Sequence, residues 1–365
     1  DWLLENEGDP WGPDKIVRAQ TWSMHGDWFE EQDNIKDWIY YSQKHQAFAA
    51  RLMTDAFRRH TNILISTAIH LLIDAWPSGW MKALVGVDRV PKPAYFAFQA
   101  SLEPVRVNLR SDRWQVYCGE SIEVESWILN DTSNYYHDCK IVVTLRDAKN
   151  NYESFEYSCE VKGTSSCCVG VIRVKIPNDV SDRSELYLDA CLINSKGQKI
   201  NSERMKLEVF QRDSITANIT AAYLGTDAYK LLYHLGIDAQ DFSDLEYQAD
   251  TIVVSSVEEY ARNEKQLLTQ IDNGTNAVFI RDNNEPFNID IAGMKFNTKS
   301  INPIYFAAVN RESKLMQQFT SYDFSYWYNA EQDMIDFVAD SYIISDDIEP
   351  LVYTYHRKQE NNRKK

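Results

Sequence analysis

The chain has 365 residues, 44% of them apolar and 13% aromatic, with a formal net charge of −16. This length allows two or three domains, and the apolar fraction excludes global disorder. The negative charge repels phosphate backbones and argues against a nucleic-acid partner, while the longest apolar run, Ile63 to Ala75, is too short and too polar to span a bilayer.

Ten Trp and twenty-one Tyr supply either core packing or platforms for sugar rings. No signal peptide is visible after Asp1, so the compartment stays open; an upstream signal would make the protein periplasmic or secreted. The six cysteines, Cys118, Cys139, Cys159, Cys167, Cys168 and Cys191, lack the paired C-x-x-C spacing of a zinc site.

The first segment, Trp2-Leu3-Leu4-Glu5-Asn6-Glu7-Gly8, is a short apolar run ending in acids. A His follows in Trp22-Ser23-Met24-His25-Gly26. Residues Asp33 to Arg59 carry a helical pattern, with Ile35, Trp38, Ile39, Ser42, Gln46, Ala49, Leu52, Met53 and Phe57 on one semi-apolar stripe. Ile63 to Asp74 then reads as a buried strand, continuously apolar as in a parallel sheet. Pro91 and Pro93 mark the start of a helix over Ala94 to Ser101.

From Pro104 to about Arg212 the period changes to two. Val105, Val107 and Leu109 alternate, as do Ile122 to Ile128, Ile141 to Leu145 and Leu186 to Ala190. Turn signals sit at Asn130-Asp131, Asp147 to Asn151, Pro177-Asn178-Asp179 and Ser195-Lys196-Gly197. Seven or eight short strands in this span predict an immunoglobulin-like β-sandwich over 103–212.

After Thr216 the pattern becomes strand–helix–strand, with strands at Ile219 to Leu224, Thr251 to Val254 and Ala277 to Ile280 and helices at Asp227 to Leu235 and Val257 to Ile271. This predicts a small α/β domain with a parallel sheet over 213–365. Its pattern is similar to the glutamine-amidotransferase-like accessory domains of some glycosidases, but it contains no Cys to act as nucleophile. The aromatic stretch Phe319 to Tyr355 either completes this domain or docks on the sandwich. No dinucleotide loop, P-loop, H-E-x-x-H or G-x-S-x-G occurs, so no cofactor and no metal is expected.

The block His70-Leu71-Leu72-Ile73-Asp74-Ala75-Trp76-Pro77, followed by Val87-Asp88 and Pro91-Lys92-Pro93-Ala94-Tyr95, resembles the last barrel strand and closing helix of glycoside hydrolase family 2. That group holds β-mannosidases, β-galactosidases and exo-glucosaminidases. Its pattern is Gly-x-x-x-Trp-x-x-Asn-Asp-x-Trp-Pro, a loop, then Asp and Pro-Lys-x-x-Tyr. Tyr40-Tyr41-Ser42-Gln43-Lys44-His45-Gln46 likewise resembles the family's Tyr-x-x-Ser-Gln-x-x-Gln helix, and family members place a sandwich directly after the barrel. A (β/α)8 barrel needs about 250 residues, whereas roughly a hundred precede Pro104. The resemblance therefore implies that residues 1–102 are the C-terminal part of a TIM barrel, with the missing N-terminal portion of the same enzyme as their partner.

The implied activity is retaining hydrolysis of O-glycosyl bonds in a carbohydrate substrate by two carboxylates, in an exo-β-glycosidase of β-galactosidase or β-mannosidase type. The acid/base Glu would lie before Asp1, so this chain alone is expected to be inactive. Glu7 or Glu5 stands where the nucleophile belongs, or both are loop acids. His25 resembles a substrate-side Trp-x-x-His element. At the last strand His70 replaces the family's sugar-packing Trp and Ile73 its Asn, whereas Asp74 and Trp76 keep the pattern. Asp74 could bind a sugar hydroxyl or cap the following loop. Trp76 and Trp80 either rim the cleft or pack. The alternative is a non-catalytic carbohydrate-binding or scaffold protein that keeps a barrel remnant.

Overall fold

The computed structural model describes residues 35–61, 63, 67–75, 82–211, 219–280, 288–291, 293–305, 307–345 and 347–353. The described chain is mostly β-strand, with four α-helices and several separate sheets among the described residues. It divides into two compact units. The first holds the described residues up to Gln211, those of 305–338 and those from Leu351 on; the second holds those of 212–304 and 339–350.

The first unit opens with helix α1 (Ile35–Arg59), followed by α2 (Pro93–Ser101), where proline occupies the first helical turn. Eight strands follow: β1 (Val105–Arg110), β2 (Gln115–Tyr117), β3 (Ser121–Asn130), β4 (Tyr136–Arg146), β5 (Asn151–Val161), β6 (Ser165–Lys175), β7 (Ser184–Ile193) and β8 (Lys199–Phe210). They make two sheets, β1-β3-β6 and β2-β8-β7-β4-β5. Alternation selects the inward residues: Ile122, Val124 and Ile128 from β3, Ile141, Val143 and Leu145 from β4, and Leu186, Leu188 and Leu192 from β7 share one buried cluster. The two sheets are thus the faces of one sandwich core.

Turn chemistry matches strand pairing. Between β4 and β5 the Asp147 carboxylate accepts from the backbone N–H groups of Lys149 and Asn150, at 2.6 and 2.5 Å. Strand edges are managed as well. β5 is an outer strand carrying the exposed acids Glu153, Glu156 and Glu160, which discourage edge-to-edge association. At β1 the side chains of β8 close the edge: Asn201 Oδ1 accepts from the Val107 N–H and Glu203 Oε2 from the Leu109 N–H, each at 3.0 Å.

The aromatic stretch after residue 319 packs on the sandwich. Gln115 Nε2 donates to the Tyr322 carbonyl at 2.8 Å, Arg183 pairs with Asp323 at 3.1 Å, and the Trp327 and Tyr117 rings stack at 5.2 Å.

The second unit contains β9 (Ala221–Leu224), α3 (Thr226–His234), β10 (Ala239–Asp241), β11 (Thr251–Val254), α4 (Val257–Asp272) and β12 (Asn276–Phe279). The four strands pair in parallel in the order β10-β9-β11-β12. Ser256 caps α4 by accepting from the Glu259 N–H at 3.3 Å. A separate antiparallel sheet joins Asn288–Ile291, Met294–Ile304 and Ala339–Ile344.

Two expectations are corrected. The described part of the run expected as a strand over Ile63 to Asp74, residues 67–74, is not the buried strand read from its apolar pattern. Leu71, Leu72 and Ile73 are 37–57% exposed, and only Ile73 makes an isolated bridge, to Val85. An apolar run becomes a strand only where neighbours pair with its backbone, and among the described residues it has this single bridge. The apolar stripe read along α1 is likewise only partly its buried face. Its Ser42 is buried but its Met53 is 55% exposed, whereas Thr54, Asp55 and Arg58, off the stripe, are buried against a polar surface of the sandwich.

Candidate functional site

The described residues between Leu71 and Tyr95 are tied together by backbone hydrogen bonds. The Asp74 N–H donates to the Val85 carbonyl, the Val85 N–H to Leu72, and the Lys92 N–H to Leu84, at 2.8–3.0 Å. Lys92 Nζ donates to Asp74 Oδ2 at 3.0 Å, and both side chains are largely withdrawn from water. Helix α1 joins the loop through Gln46, whose Nε2 donates to the Ala83 carbonyl at 3.2 Å. Leu84, Val85 and Ala94 supply the buried cluster beneath it. The three motif fragments singled out in the sequence therefore meet in one place: Gln46 from the helix, Asp74 from the apolar run, and Lys92 from the Pro-Lys-Pro start.

The site residues named from the sequence fare differently. Asp74 is buried and engaged by Lys92, which ties the loop together. His70 is exposed, three residues before the Ile73 bridge. Glu5, Glu7, His25, Trp76 and Trp80 lie outside the described residues.

A second feature had no motif to announce it. A cleft of about 510 Å³ lies between α1, strands β1 and β8, and the aromatic stretch of residues 320–326. Its floor is an ionic network. Arg106 is buried and forks onto Asp55, with Nε to Oδ1 at 3.0 Å and Nη2 to Oδ2 at 2.9 Å, and lies 3.5 Å from Glu203. Asn108 Nδ2 donates to Asp55 and to Glu203, each at 3.1 Å, and Arg51 pairs with Glu203. Burial works against the Arg106 charge, but Glu203 and Asp55 outweigh it and raise its pKa.

One end of the cleft is aromatic. Phe48, Trp114 and Tyr326 meet edge to face, with centroids 5.6–5.8 Å apart. Burial pushes the Tyr326 phenol well above its ordinary range and lowers the His45 pKa. Glu208 lies at this end, since its N–H donates to the Trp114 carbonyl at 2.8 Å; burial raises its pKa. Arg59 lies at the other end, donating from Nη1 to Asn108 Oδ1 at 2.6 Å.

These residues come from positions 48, 59, 108, 114, 203, 208 and 326, so no local spacing could have found them. Arg51, Asp55 and Arg59 do recur at helical spacing, but on the face opposite the expected apolar stripe, where such spacing reads as a solvated charged face. Among the described residues no His, Cys, Asp and Glu group could hold a metal, all six cysteines are free thiols, and no helix is long and apolar enough to cross a membrane.

No protein-family model matches the sequence, and no curated protein matches it. Among solved structures, the chain is similar to the exo-chitosanase CsxA of Amycolatopsis orientalis, with 14% identity over 60% of this chain and 25% of that one, at a TM-score of 0.39. It is similar to a β-D-mannosidase from Dictyoglomus thermophilum, with 17% identity over 54% and 22%, at 0.41. The sporulation control protein Spo0M of Bacillus subtilis shows 9% identity over 31% and 51%, at 0.23. The chain spans about a fifth to a quarter of the length of the two glycosidases.

Proposed function

We propose that this chain is the C-terminal part of a retaining exo-β-glycosidase of the β-galactosidase or β-mannosidase type. The observation that carries the reading is the Asp74–Lys92 ion pair. It joins the two halves of the motif that resembles glycoside hydrolase family 2, and Gln46 of the preceding helix motif anchors the same loop. An eight-stranded sandwich of immunoglobulin-like pattern follows directly, in the order that resemblance implies. In this reading Asp74 braces the end of the last barrel strand, and Trp76 and Trp80 rim the sugar cleft. His25 contacts substrate, and Glu7 or Glu5 supplies the nucleophile. The acid/base carboxylate comes from the remainder of the barrel. The second unit serves as an accessory module.

The test is expression of the reading frame with the codons upstream of Asp1, beside this chain alone. We expect the extended protein to hydrolyse 4-nitrophenyl β-D-galactoside or β-D-mannoside and the isolated chain to hydrolyse neither. Turnover by the isolated chain, or none by an extended protein that folds, would overturn the reading.

The residues at His70 and Ile73 favour a second reading. Both are exposed, and they stand where the resemblance expects a stacking Trp and a hydroxyl-binding Asn. A non-catalytic carbohydrate-binding protein would tolerate that exchange. Saturable sugar binding without hydrolysis by the extended protein would select this alternative.

A further inference from the structure

The cleft described above has an unequal charge arrangement. Most of its cations are committed: Arg51 to Glu203, Arg110 to Glu125 and Asp112, Arg204 to Asp189, and Lys206 to Glu185, while the exposed Lys44 lies over the Tyr41 ring. Arg59 is different. It is half-buried, and among the described residues no carboxylate lies within ion-pair distance of it. Its one described side-chain hydrogen bond goes to the Asn108 amide oxygen, which leaves most of its five donors for another group. Asn108 is itself held by Asp55 and Glu203, so the guanidinium is fixed in direction. Burial is the largest influence on Arg59 and disfavours its charge; the nearby Asp55, Glu125 and Glu203 carboxylates favour it without pairing directly, Arg110 opposes it, and the net effect lowers its pKa. A cation in this position gains from an incoming anion.

At the opposite end Glu208 is half-buried and makes no described ion pair or side-chain hydrogen bond. Glu203 and Glu208 are five residues apart on β8, so their Cα atoms are roughly 17 Å apart and their side chains leave opposite faces of the strand. Between them Phe48 and Leu52 remain 38% and 39% exposed on the cleft wall. A ligand satisfying both ends must be longer than one sugar ring, must carry an anion at one end and a hydrogen-bond donor at the other, and must offer apolar faces between.

We propose that this cleft binds a short acidic oligosaccharide, with a uronate carboxylate on Arg59, sugar C–H faces on Phe48 and Leu52, and a hydroxyl donating to Glu208. An alkyl amphiphile would leave Glu208 without a donor and would lie across the ionic floor. An extended peptide finds no strand edge, because β8 lies between β2 and β7 and the edge amides of β1 at Val107 and Leu109 are taken by Asn201 and Glu203. The cleft volume falls within the range of small-ligand sites. The site is separate from the loop that carries the glycosidase reading, and the inference does not depend on that reading.

The experiment is calorimetric titration of the full chain with trigalacturonate and with its neutral methyl ester, at low and moderate salt. We expect saturable binding of the acid. The ester should bind about tenfold or more weakly, because a hydrogen bond to a charged group is lost. Arg59→Gln should lower affinity for the acid to that of the ester, Arg59→Lys should restore part of it, and Phe48→Ala should weaken both ligands. Circular dichroism verifies that each variant is folded. Should Arg59→Gln fail to fold, the acid-to-ester ratio and its salt dependence on the unaltered chain decide the matter. Absence of binding, equal affinity for acid and ester, or an unchanged Arg59→Gln would overturn the proposal. None of these results bears on hydrolysis.

Discussion

Arg106 is the residue whose removal should cost the first unit most. Its side chain is 3% exposed, forks onto Asp55 of α1, lies 3.5 Å from Glu203 of β8, and donates to the Ala100 carbonyl at the end of α2 at 3.1 Å. Arg106→Met removes the charge but keeps much of the volume, and deprives buried Asp55 of its two-pronged partner, leaving it Asn108 and a more distant Arg51, while Glu203 keeps Arg51. Breaking a buried pair from one side costs about 3–5 kcal/mol, against about 0–1 kcal/mol for an exposed pair. With total stabilities of about 5–15 kcal/mol, such a loss is large. Urea unfolding followed by tryptophan fluorescence would read the global effect, and amide hydrogen exchange along α1 the local one. A 3 kcal/mol loss corresponds to roughly a hundredfold faster exchange through the affected opening. Asp55→Ala should cost a similar amount, and the double variant less than the sum, since both remove one shared interaction. A loss below about 1 kcal/mol for Arg106→Met, with folding intact, would refute the view that this network fastens α1 to the sandwich.

Lys92→Ala leaves the Asp74 carboxylate withdrawn from water without its cation. It should lower stability by about 3 kcal/mol, more than Asp74→Asn does, and thermal unfolding of the two variants compares them. Gly225 precedes α3 with φ of 103°, and an added Cβ would clash with Ser255 Oγ and sit 3.2 Å from the Ser256 nitrogen. Gly225→Ala should therefore destabilise the second unit, by about 1–3 kcal/mol from backbone strain alone, which hydrogen exchange in β9 and β11 would show. Tyr260 donates to Glu264 at 3.0 Å and to the Asp290 carbonyl at 2.9 Å, and burial followed by the Glu264 bond pushes its phenol up to about 12. The raised value means that the fold favours the neutral phenol. Its contribution is complete below about pH 10, the ordinary tyrosine value, and is lost as pH rises from there through about 12. Tyr260→Phe should lose about 1 kcal/mol near neutrality and show a shallower alkaline decline, as measured by urea unfolding between pH 8 and 11.

Legibility in the sequence followed the range of the interactions involved. α1, expected over 33–59 and found at Ile35–Arg59, and α4, expected over 257–271 and found at Val257–Asp272, are set by local periodicity and caps. The strands with period-two apolar residues, β3, β4 and β7, were equally plain. β5 was less plain, because its inward residues Phe155, Tyr157 and Cys159 are only partly covered at the sheet edge and alternate with Glu156, Ser158 and Glu160 in a strand poor in aliphatic residues. The sheet of Asn288–Ile291, Met294–Ile304 and Ala339–Ile344 was missed for a different reason. Its closing strand begins 35 positions beyond Ile304, at Ala339, and no local pattern encodes that pairing.

The same distinction separates the two sites. The Asp74–Lys92 loop is closed by residues eighteen positions apart, and its motif was readable because turn, strand end and helix start are contiguous. The cleft depends on groups that meet only after the sandwich has closed, and their individual residues look ordinary in the chain. What makes Arg59 exceptional is a partner it lacks rather than one it has, and only a three-dimensional account of who pairs with whom can show that. The helix pattern carried no warning: Arg51, Asp55 and Arg59 lie opposite the stripe expected to pack, where charges read as a solvated face. Once buried, such charges require an opposing surface to answer each of them. Glu203, Arg106 and Asn108 answer the first two with ionic or charge-assisted contacts, and Arg59 receives only a neutral amide. That shortfall distinguishes a structural clamp from a site prepared for an anion, and the titration with trigalacturonate and its ester is designed to measure it.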